Sequence, residues 1–262
     1  MNLRYLQGRS WGHPGAILLA VLLTVAPALA HFPILTVDGG EKKLNQPVSA
    51  TIRYGHPFEN EFEDCLEPES IQVVAPDRRS TKVTPKKSTF ELGGKNYAQW
   101  KIEFTPEVRG DYFVRVVWKA KPGKKDEPAT QEIAETWVHV QQEKGWDQNV
   151  DGWSCLNRPY GILPGMVFRA RLGELSGIHR MADVPFEFEY LNSAPPAALP
   201  KSTLITFTGK TDLNGELAIS LPKAGWWALS AEVGHVPASG SLPPATGPIK
   251  KHTLWLYVDQ AQ

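Results

Sequence analysis

The stretches YAQWKIEF at residues 97–104 and DYFVRVVW at residues 111–118 decide the fold class of this chain. The first alternates apolar with polar residues, and the second is rich in β-branched and aromatic residues. Both patterns are typical of β-strands that bury one face. The turn signal Arg109-Gly110 separates them. The centre of the first half is therefore predicted to contain short antiparallel strands.

Comparable strand-like runs lie on both sides of this pair. They occupy residues 48–54, 70–75 and 133–140, and then 166–172, 184–191, 203–208, 216–221, 226–233 and 252–258. Between the two groups, residues 142–159 lose the periodicity, and we expect a linker or inter-domain loop there. The prediction is an all-β protein with two immunoglobulin-like or transthyretin-like β-sandwich domains, at residues 31–141 and 160–262.

Composition and charge exclude several classes of protein. The chain has 262 residues, is 42% hydrophobic, and carries 28 basic and 28 acidic side chains. Such a hydrophobic content is not that of a disordered chain, and the balanced charge provides no basic surface for nucleic acid. The sequence also lacks Gly-x-Ser-x-Gly, His-Glu-x-x-His and P-loop patterns. We therefore expect a protein that is not an enzyme and does not bind nucleic acid.

The first thirty residues have the composition of a secretory signal peptide. Arg4 and Arg9 precede the apolar run AILLAVLLTV at residues 16–25, and Ala28-Leu29-Ala30 forms a cleavage site of small residues. The apolar run is short for a membrane anchor, which is the competing interpretation. We expect cleavage after Ala30 and a periplasmic or otherwise extracytoplasmic protein.

Cleavage after Ala30 would make His31 the first residue of the mature chain. Its free α-amine and its own Nδ1 atom can chelate one metal ion in a six-membered ring, and the low pKa of an α-amine favours this near neutral pH. One further histidine completes a three-nitrogen site that suits nickel, cobalt, copper or zinc. The alternative is an N-terminal histidine that frays in solvent.

Several motifs together resemble a known family. They are the mature His31, the segment YGHPFE at residues 54–59, the Thr-Pro…Gly-Asp-Tyr turn at 105–112, the Thr-Asp-x-Asn-Gly hairpin at 211–215 and the Gly-Trp strand at 225–226. The chain resembles an exported bacterial domain-of-unknown-function family, described as the extracytoplasmic component of nickel or cobalt uptake systems. The resemblance implies two sandwich domains, a divalent transition metal as ligand, and membrane components of a metal transporter as partners.

His56 is the strongest candidate for the second metal ligand. It lies between Gly55 and Pro57 in a turn that can aim the imidazole outward, and Glu59 and Glu61 follow within reach. The resemblance favours a ligand role over a solvent-exposed turn histidine.

Two further histidines flank the Pro-rich loop of the second half. His235 and His252 could meet across that loop and contribute to the metal site, although surface histidines without a role would have the same pattern.

The two cysteines, Cys65 and Cys155, are predicted to form a disulfide, because an exported chain is oxidised and no Cys-x-x-Cys motif is present. The bond would hold the inter-domain stretch against the loop that follows His56. Free thiols or soft metal ligands are the alternatives.

The sequence thus predicts a periplasmic transition-metal-binding protein, an accessory component of nickel or cobalt uptake. A copper-dependent oxidative enzyme, with His31 and a second histidine bracing the metal and Tyr54 beside them, is one alternative. A structural binding module of the cell envelope is the other.

Overall fold

The computed structural model describes residues 31–39, 41–124, 128–173, 181–194, 206–234 and 247–260. These residues form strands without any helix. In chain order the strands are β1 Phe32–Val37, β2 Val48–His56, β3 Glu61–Glu63, β4 Ser70–Val74, β5 Ser80–Lys82, β6 Lys86–Leu92, β7 Lys95–Phe104, β8 Gly110–Val117, β9 Thr130–Val140, β10 Gly152–Cys155, β11 Val167–Gly173, β12 Pro185–Tyr190, β13 Phe207–Lys210, β14 Glu216–Ser220, β15 Gly225–Val233 and β16 Ile249–Val258.

The strands form three sheets. The front sheet has the order β1-β2-β7-β6, with β3 paired to β2, and the back sheet has the order β10-β11-β14. Between them lies the central sheet, with eight strands in the order β13-β12-β15-β16-β9-β8-β4-β5. The fold is therefore all-β, as the alternating runs predict.

Two hydrophobic cores separate the three layers. The front core joins the front sheet to one face of the central sheet, and the back core joins the back sheet to the other face. Successive residues of β16 show this division, because Trp255 lies in the front core while Leu254 and Leu256 lie in the back core. Strands β8, β9, β15 and β16 of the central sheet thus each supply side chains to two sandwich interfaces.

The two halves of the chain meet inside the central sheet. Strands β9 and β16 pair in parallel, with Thr130 opposite Ile249 and Thr136 opposite Trp255. The other strand pairs are antiparallel among the described residues. The predicted halves are therefore joined by a continuous ladder of hydrogen bonds.

The segment at residues 142–159 contains a strand as well as loop. Strand β10 pairs with β11, and Trp153 on it is fully buried and donates its Nε1–H to the carbonyl oxygen of His252, 3.2 Å away. Strand β10 is short, and the charged residues near it in the sequence hide any alternating pattern. This part of the predicted linker belongs to the back sheet.

The predicted disulfide is wrong. Cys65 and Cys155 are both free thiols, and both are buried. Cys65 lies in the front core and Cys155 in the back core, so the central sheet separates them. A disulfide requires Cα atoms within about 7 Å, which two cores on opposite faces of a sheet do not provide.

No helix long and apolar enough to cross a membrane occurs among the described residues. The predicted signal peptide, residues 1–30, lies outside them.

Candidate functional site

The ends of β1, β2 and β3 bring the candidate histidines together. Phe32 pairs with Gly55 across β1 and β2, which places His31, one residue earlier, beside His56. His56 in turn pairs with Glu61 on β3. Antiparallel partners project from the same face of a sheet, so the three side chains lie in a row across the front sheet.

Gly55 allows this close pairing. Its φ is +153°, and a Cβ atom there would lie 2.2 Å from the carbonyl oxygen of Glu61. Only glycine lets β3 approach β2 so closely at this point. The glycine before His56 therefore serves to position β3, in addition to shaping a turn.

The rings of His31 and His56 are in contact. Their centroids are 4.1 Å apart, at an interplanar angle of 47°. Glu63 lies 3.0 Å from Nε2 of His31, through its Oε1 atom. This bond occupies Nε2 of His31 and leaves Nδ1, the atom that can chelate together with the residue's own amine. The His31 side chain is 35% exposed, so the cluster is open to solvent.

Tyr54 packs on the other side of His31. Its ring stacks on the imidazole with the centroids 5.6 Å apart at 13°. The Tyr54 hydroxyl donates to Oε1 of Glu132 at 2.9 Å, and Nζ of Lys121 lies 3.2 Å from Oε2 of the same carboxylate. Burial, reinforced by the charge of Glu132, raises the pKa of Tyr54, which keeps this phenol protonated.

The second half of the chain also reaches this cluster. Lys251 on β16 donates its Nζ–H to the carbonyl oxygen of His31 at 3.3 Å, and its ammonium group lies over the ring of Phe32. The backbone of His31 is thus held from both the front and the central sheets.

Glu59 lies apart from the other candidate ligands, His31, His56 and Glu61. It lies in the loop after β2, where its charge is near Glu189 on β12. Glu189 is buried and accepts the backbone N–H of Phe58 at 3.0 Å and the hydroxyl of Thr206 at 2.6 Å. Burial raises the pKa of Glu189 to about 7. This carboxyl attaches the loop after His56 to the central sheet.

His252 does not join the cluster. Its side chain is 2% exposed and its Nδ1 atom lies 3.3 Å from Oε1 of the buried Glu135. Because adjacent residues of a strand face opposite ways, His252 points away from the face where Lys251 meets His31. His235, its predicted companion, lies outside the described residues.

Side chains alone do not complete a metal site in the described part of the chain, where no three His, Cys, Asp or Glu side chains are placed to hold an ion. The structure brings together two imidazoles, and the donor that remains is the α-amine of a chain processed before His31. The donor set fits a transition metal if that amine is free.

Sequence reasoning missed Glu63, Lys121, Glu132 and Lys251. The run EFE at residues 61–63 alternates, and an alternating triplet after a turn is a weak signal for a paired strand. Lys251 reaches His31, and Lys121 and Glu132 reach Tyr54, through the sheet topology, which no local pattern shows.

Among solved structures, the chain is similar to the ectodomain of mouse nectin-like molecule 4, at 10% identity over 87% of this chain and 64% of that one, with a TM-score of 0.24. It is also similar to a DUF4785 family protein from Legionella pneumophila, at 8% identity over 75% of this chain and 50% of the other, with a TM-score of 0.27. The fibronectin(III)-like modules of Clostridium thermocellum CbhA match at 10% identity over 87% and 95% of the two chains, with a TM-score of 0.23. The chain thus spans about two thirds of the length of the first of these proteins and about half of the length of the second.

No curated protein matches the chain. The model of one family, the domain of unknown function DUF4198, matches residues 28–234. This match covers most of the chain, from the predicted cleavage site through β15, and includes both candidate histidines. The chain belongs to the DUF4198 family.

Proposed function

We propose that this protein binds a divalent transition metal outside the cytoplasm, through the amine and Nδ1 of His31 and the imidazole of His56, as an accessory component of nickel or cobalt uptake. The observation that carries the proposal is the contact between the two rings, whose centroids are 4.1 Å apart. The metal is cargo in this proposal.

The hydrogen bond between His31 and Glu63 supports a ligand role. Metal-binding histidines almost always donate their second ring nitrogen to a carboxylate or carbonyl, which fixes the tautomer and the ring orientation. Glu63 lies 3.0 Å from Nε2 of His31, which leaves Nδ1 for the metal. Glu61 lies opposite His56 in the β2–β3 ladder, on the same face of the front sheet.

The proposal makes metal binding depend on processing of the chain. A purified chain that begins at His31 is expected to bind about one nickel or cobalt ion, because amine, Nδ1 and a second imidazole converge. A chain with one additional glycine before His31 loses the five-atom link between amine and ring, and is expected to bind at least about tenfold more weakly. Isothermal titration calorimetry on the two chains measures this difference. Equal affinities would exclude the N-terminal chelate.

Substitution of the second ligand provides an independent test. The His56→Ala chain, also beginning at His31, is expected to lose a comparable factor, whereas Glu67→Gln, an exposed carboxylate near β3 that contacts neither histidine, is expected to bind like the unmodified chain. Nitrogen ligands bind copper more tightly than nickel or cobalt, so affinity alone does not identify the cargo. Metal analysis of the protein after export and processing in its own host identifies it.

The stacking of Tyr54 on His31 favours one second candidate, a copper-dependent oxidative enzyme with His31 and His56 as the brace. Copper would supply the redox chemistry, while Tyr54 and Glu63 orient His31. Oxidation of a polysaccharide or a model phenol by the copper-loaded chain with a reductant would support this candidate, and inactivity on both would leave the carrier function.

A further inference from the structure

A cavity lies away from the histidine cluster, where the two halves of the chain meet. Its volume is about 440 Å³. It is bordered by the loop after β1, by β9, and by β15 and β16 of the second half. Neither His31 nor His56 lines it, so binding of a ligand in this cavity is independent of the proposed metal site.

Aromatic rings form much of the lining. Trp226 and Tyr257 are opposite one another in the β15–β16 ladder, with their ring centroids 5.3 Å apart at an angle of 57°. Tyr160 and the half-buried His139 stack on each other nearby, with centroids 4.0 Å apart. Tyr257 is 40% exposed, and Trp226 also packs against the front core. All four rings line the cavity.

The charge of the cavity lining is negative. Asp38, Glu41 and Asp259 contribute three carboxylates, and none of them is in an ion pair with a described basic residue. Lys42 also lines the cavity, where its ammonium group donates to the backbone carbonyl oxygens of Asp38 and Gly39 and interacts with the Asp38 carboxylate, so its charge offsets one of the three carboxylates. The cavity thus joins aromatic faces with an excess of negative charge.

Elsewhere in the described chain, the protein's own cations lie over several partly exposed aromatic rings. Lys121 covers Tyr54, Lys223 covers Tyr190 and Arg53 covers Phe90. No such contact falls on the rings of Tyr160, Trp226 or Tyr257 among the described residues. The cavity rings are therefore free to accept a cation from outside.

The carboxylates and aromatic rings that line the cavity indicate which kind of cation it binds. The carboxylates are not grouped closely enough to hold a metal ion, since no such group exists among the described residues. An alkylated ammonium group carries its charge on an apolar surface, and aromatic faces recognise such groups through cation–π attraction. We propose that this cavity binds an organic ammonium cation against the rings of Trp226, Tyr257 and Tyr160, with Asp259 and Glu41 supplying the opposite charge.

Choline and its neutral isostere 3,3-dimethylbutan-1-ol provide the direct test, because they share one shape and differ in charge. The chain beginning at His31 is titrated with each compound at low ionic strength, and tryptophan fluorescence and calorimetry report binding. We expect saturable binding of choline, at least about tenfold tighter than that of the alcohol. Equal affinities, or no saturation by choline, would overturn the proposal.

Two substitutions locate the binding. Tyr257→Leu removes an exposed ring and is expected to weaken choline binding about fivefold. Asp259→Asn removes one charge and is expected to weaken it about threefold, an effect that added salt abolishes. Phe207→Leu, which removes an aromatic ring exposed to 52% on β13, is the matched control and is expected to leave binding unchanged. Choline binding that survives both cavity substitutions, or that is lost with Phe207→Leu, would place the cation elsewhere and refute the assignment.

Discussion

Glu63 is the carboxylate that contacts the ring of His31. Its carboxylate accepts from Nε2 of His31 and is itself 60% exposed, so it contributes little to the stability of the fold. Its effect on a metal ligand is larger, because the carboxylate fixes the tautomer and raises the basicity of the ring. Glu63→Gln is therefore expected to reduce the metal affinity of the chain beginning at His31 by about 10-fold or more, with an unchanged unfolding midpoint.

Calorimetric metal titration and urea unfolding together test this expectation. Glu67→Gln removes a nearby exposed carboxylate and is the control for a general loss of negative charge. If both substitutions weaken metal binding equally, Glu63 acts only through its charge, and the positioning role is refuted.

The sequence could single out His31 and His56 as candidates but could not predict their surroundings. The expected cleavage after Ala30 marks His31 as a candidate ligand, and the Gly-His-Pro turn marks His56. Their contact depends on the β1–β2 register, which places Phe32 opposite Gly55. Strand β1, FPILTV, is apolar except for Thr36 and directly follows the predicted leader, so it has no alternation to mark it as a strand.

The two cysteines are expected to behave as buried thiols. Burial raises the pKa of Cys65 to about 12 and also raises the pKa of Cys155, so neither forms the reactive thiolate near neutral pH. Mass spectrometry after alkylation without reductant should find no label on the native chain and two labels on the denatured chain. A mass two units lower, with no label after denaturation, would show that the cysteines pair after all.

At the scale of elements, the loop after β2 is attached to β12 through Glu189. The carboxyl accepts from the N–H of Phe58, and the backbone N–H of Asn192 donates to the carbonyl oxygen of Pro57 at 3.0 Å. These two contacts hold the loop that directly follows His56, so the position of His56 depends on both halves of the chain.

Glu189 also makes the stability depend on pH. Burial raises its pKa from 4.5 to about 7 in the folded chain. Between these values the unfolded chain releases the proton while the folded chain keeps it, so the free energy of unfolding falls as the pH rises through this range. The loss is about 3–4 kcal/mol, at about 1.4 kcal/mol for each pKa unit between 4.5 and about 7.

The Glu189→Gln side chain does not titrate, so the free energy of unfolding of this variant should fall less as the pH rises. Urea unfolding between pH 5 and pH 8 measures it, and Glu232→Gln, an exposed carboxylate on β15, is the control. An unchanged slope in Glu189→Gln would mean that another group causes the decline.

Strands marked by alternation or by β-branched and aromatic residues were predictable, whereas β6 and β10 were not. The expected run at residues 48–54 corresponds to β2 at Val48–His56, and the run at 226–233 corresponds to β15 at Gly225–Val233. Strand β6, KKSTFEL, is largely exposed, and β10 lies in a segment of mixed polarity. Exposed edge strands take their conformation from the neighbouring strand, so their own residues carry little signal.

At the scale of the whole molecule, the parallel pairing of β9 with β16 ties the halves together. No sequence pattern indicates which distant strands pair. Thr136 and Trp255 are 119 residues apart, and nothing in the sequence near either residue indicates that their strands are neighbours. Trp255 itself is 1% exposed in the front core and donates its Nε1–H to the carbonyl oxygen of Pro33 at 2.8 Å. The second half of the chain thus supplies part of the core of the first.

This arrangement predicts that the first half does not fold alone. A chain of residues 31–141 would leave the full edge of β9 unpaired and the front core without Trp255, and burying a tryptophan contributes about 3–5 kcal/mol. We expect this fragment to lack the cooperative unfolding transition of the chain of residues 31–262, and to aggregate through the free edge of β9.

Circular dichroism during urea unfolding measures the transition, and light scattering measures the aggregation. The longer chain should unfold in one transition, with tryptophan fluorescence and far-UV signals coinciding. A fragment that unfolds cooperatively on its own would show that the pairing of β9 with β16 joins two independent domains, and the position of His56 would then not depend on the second half.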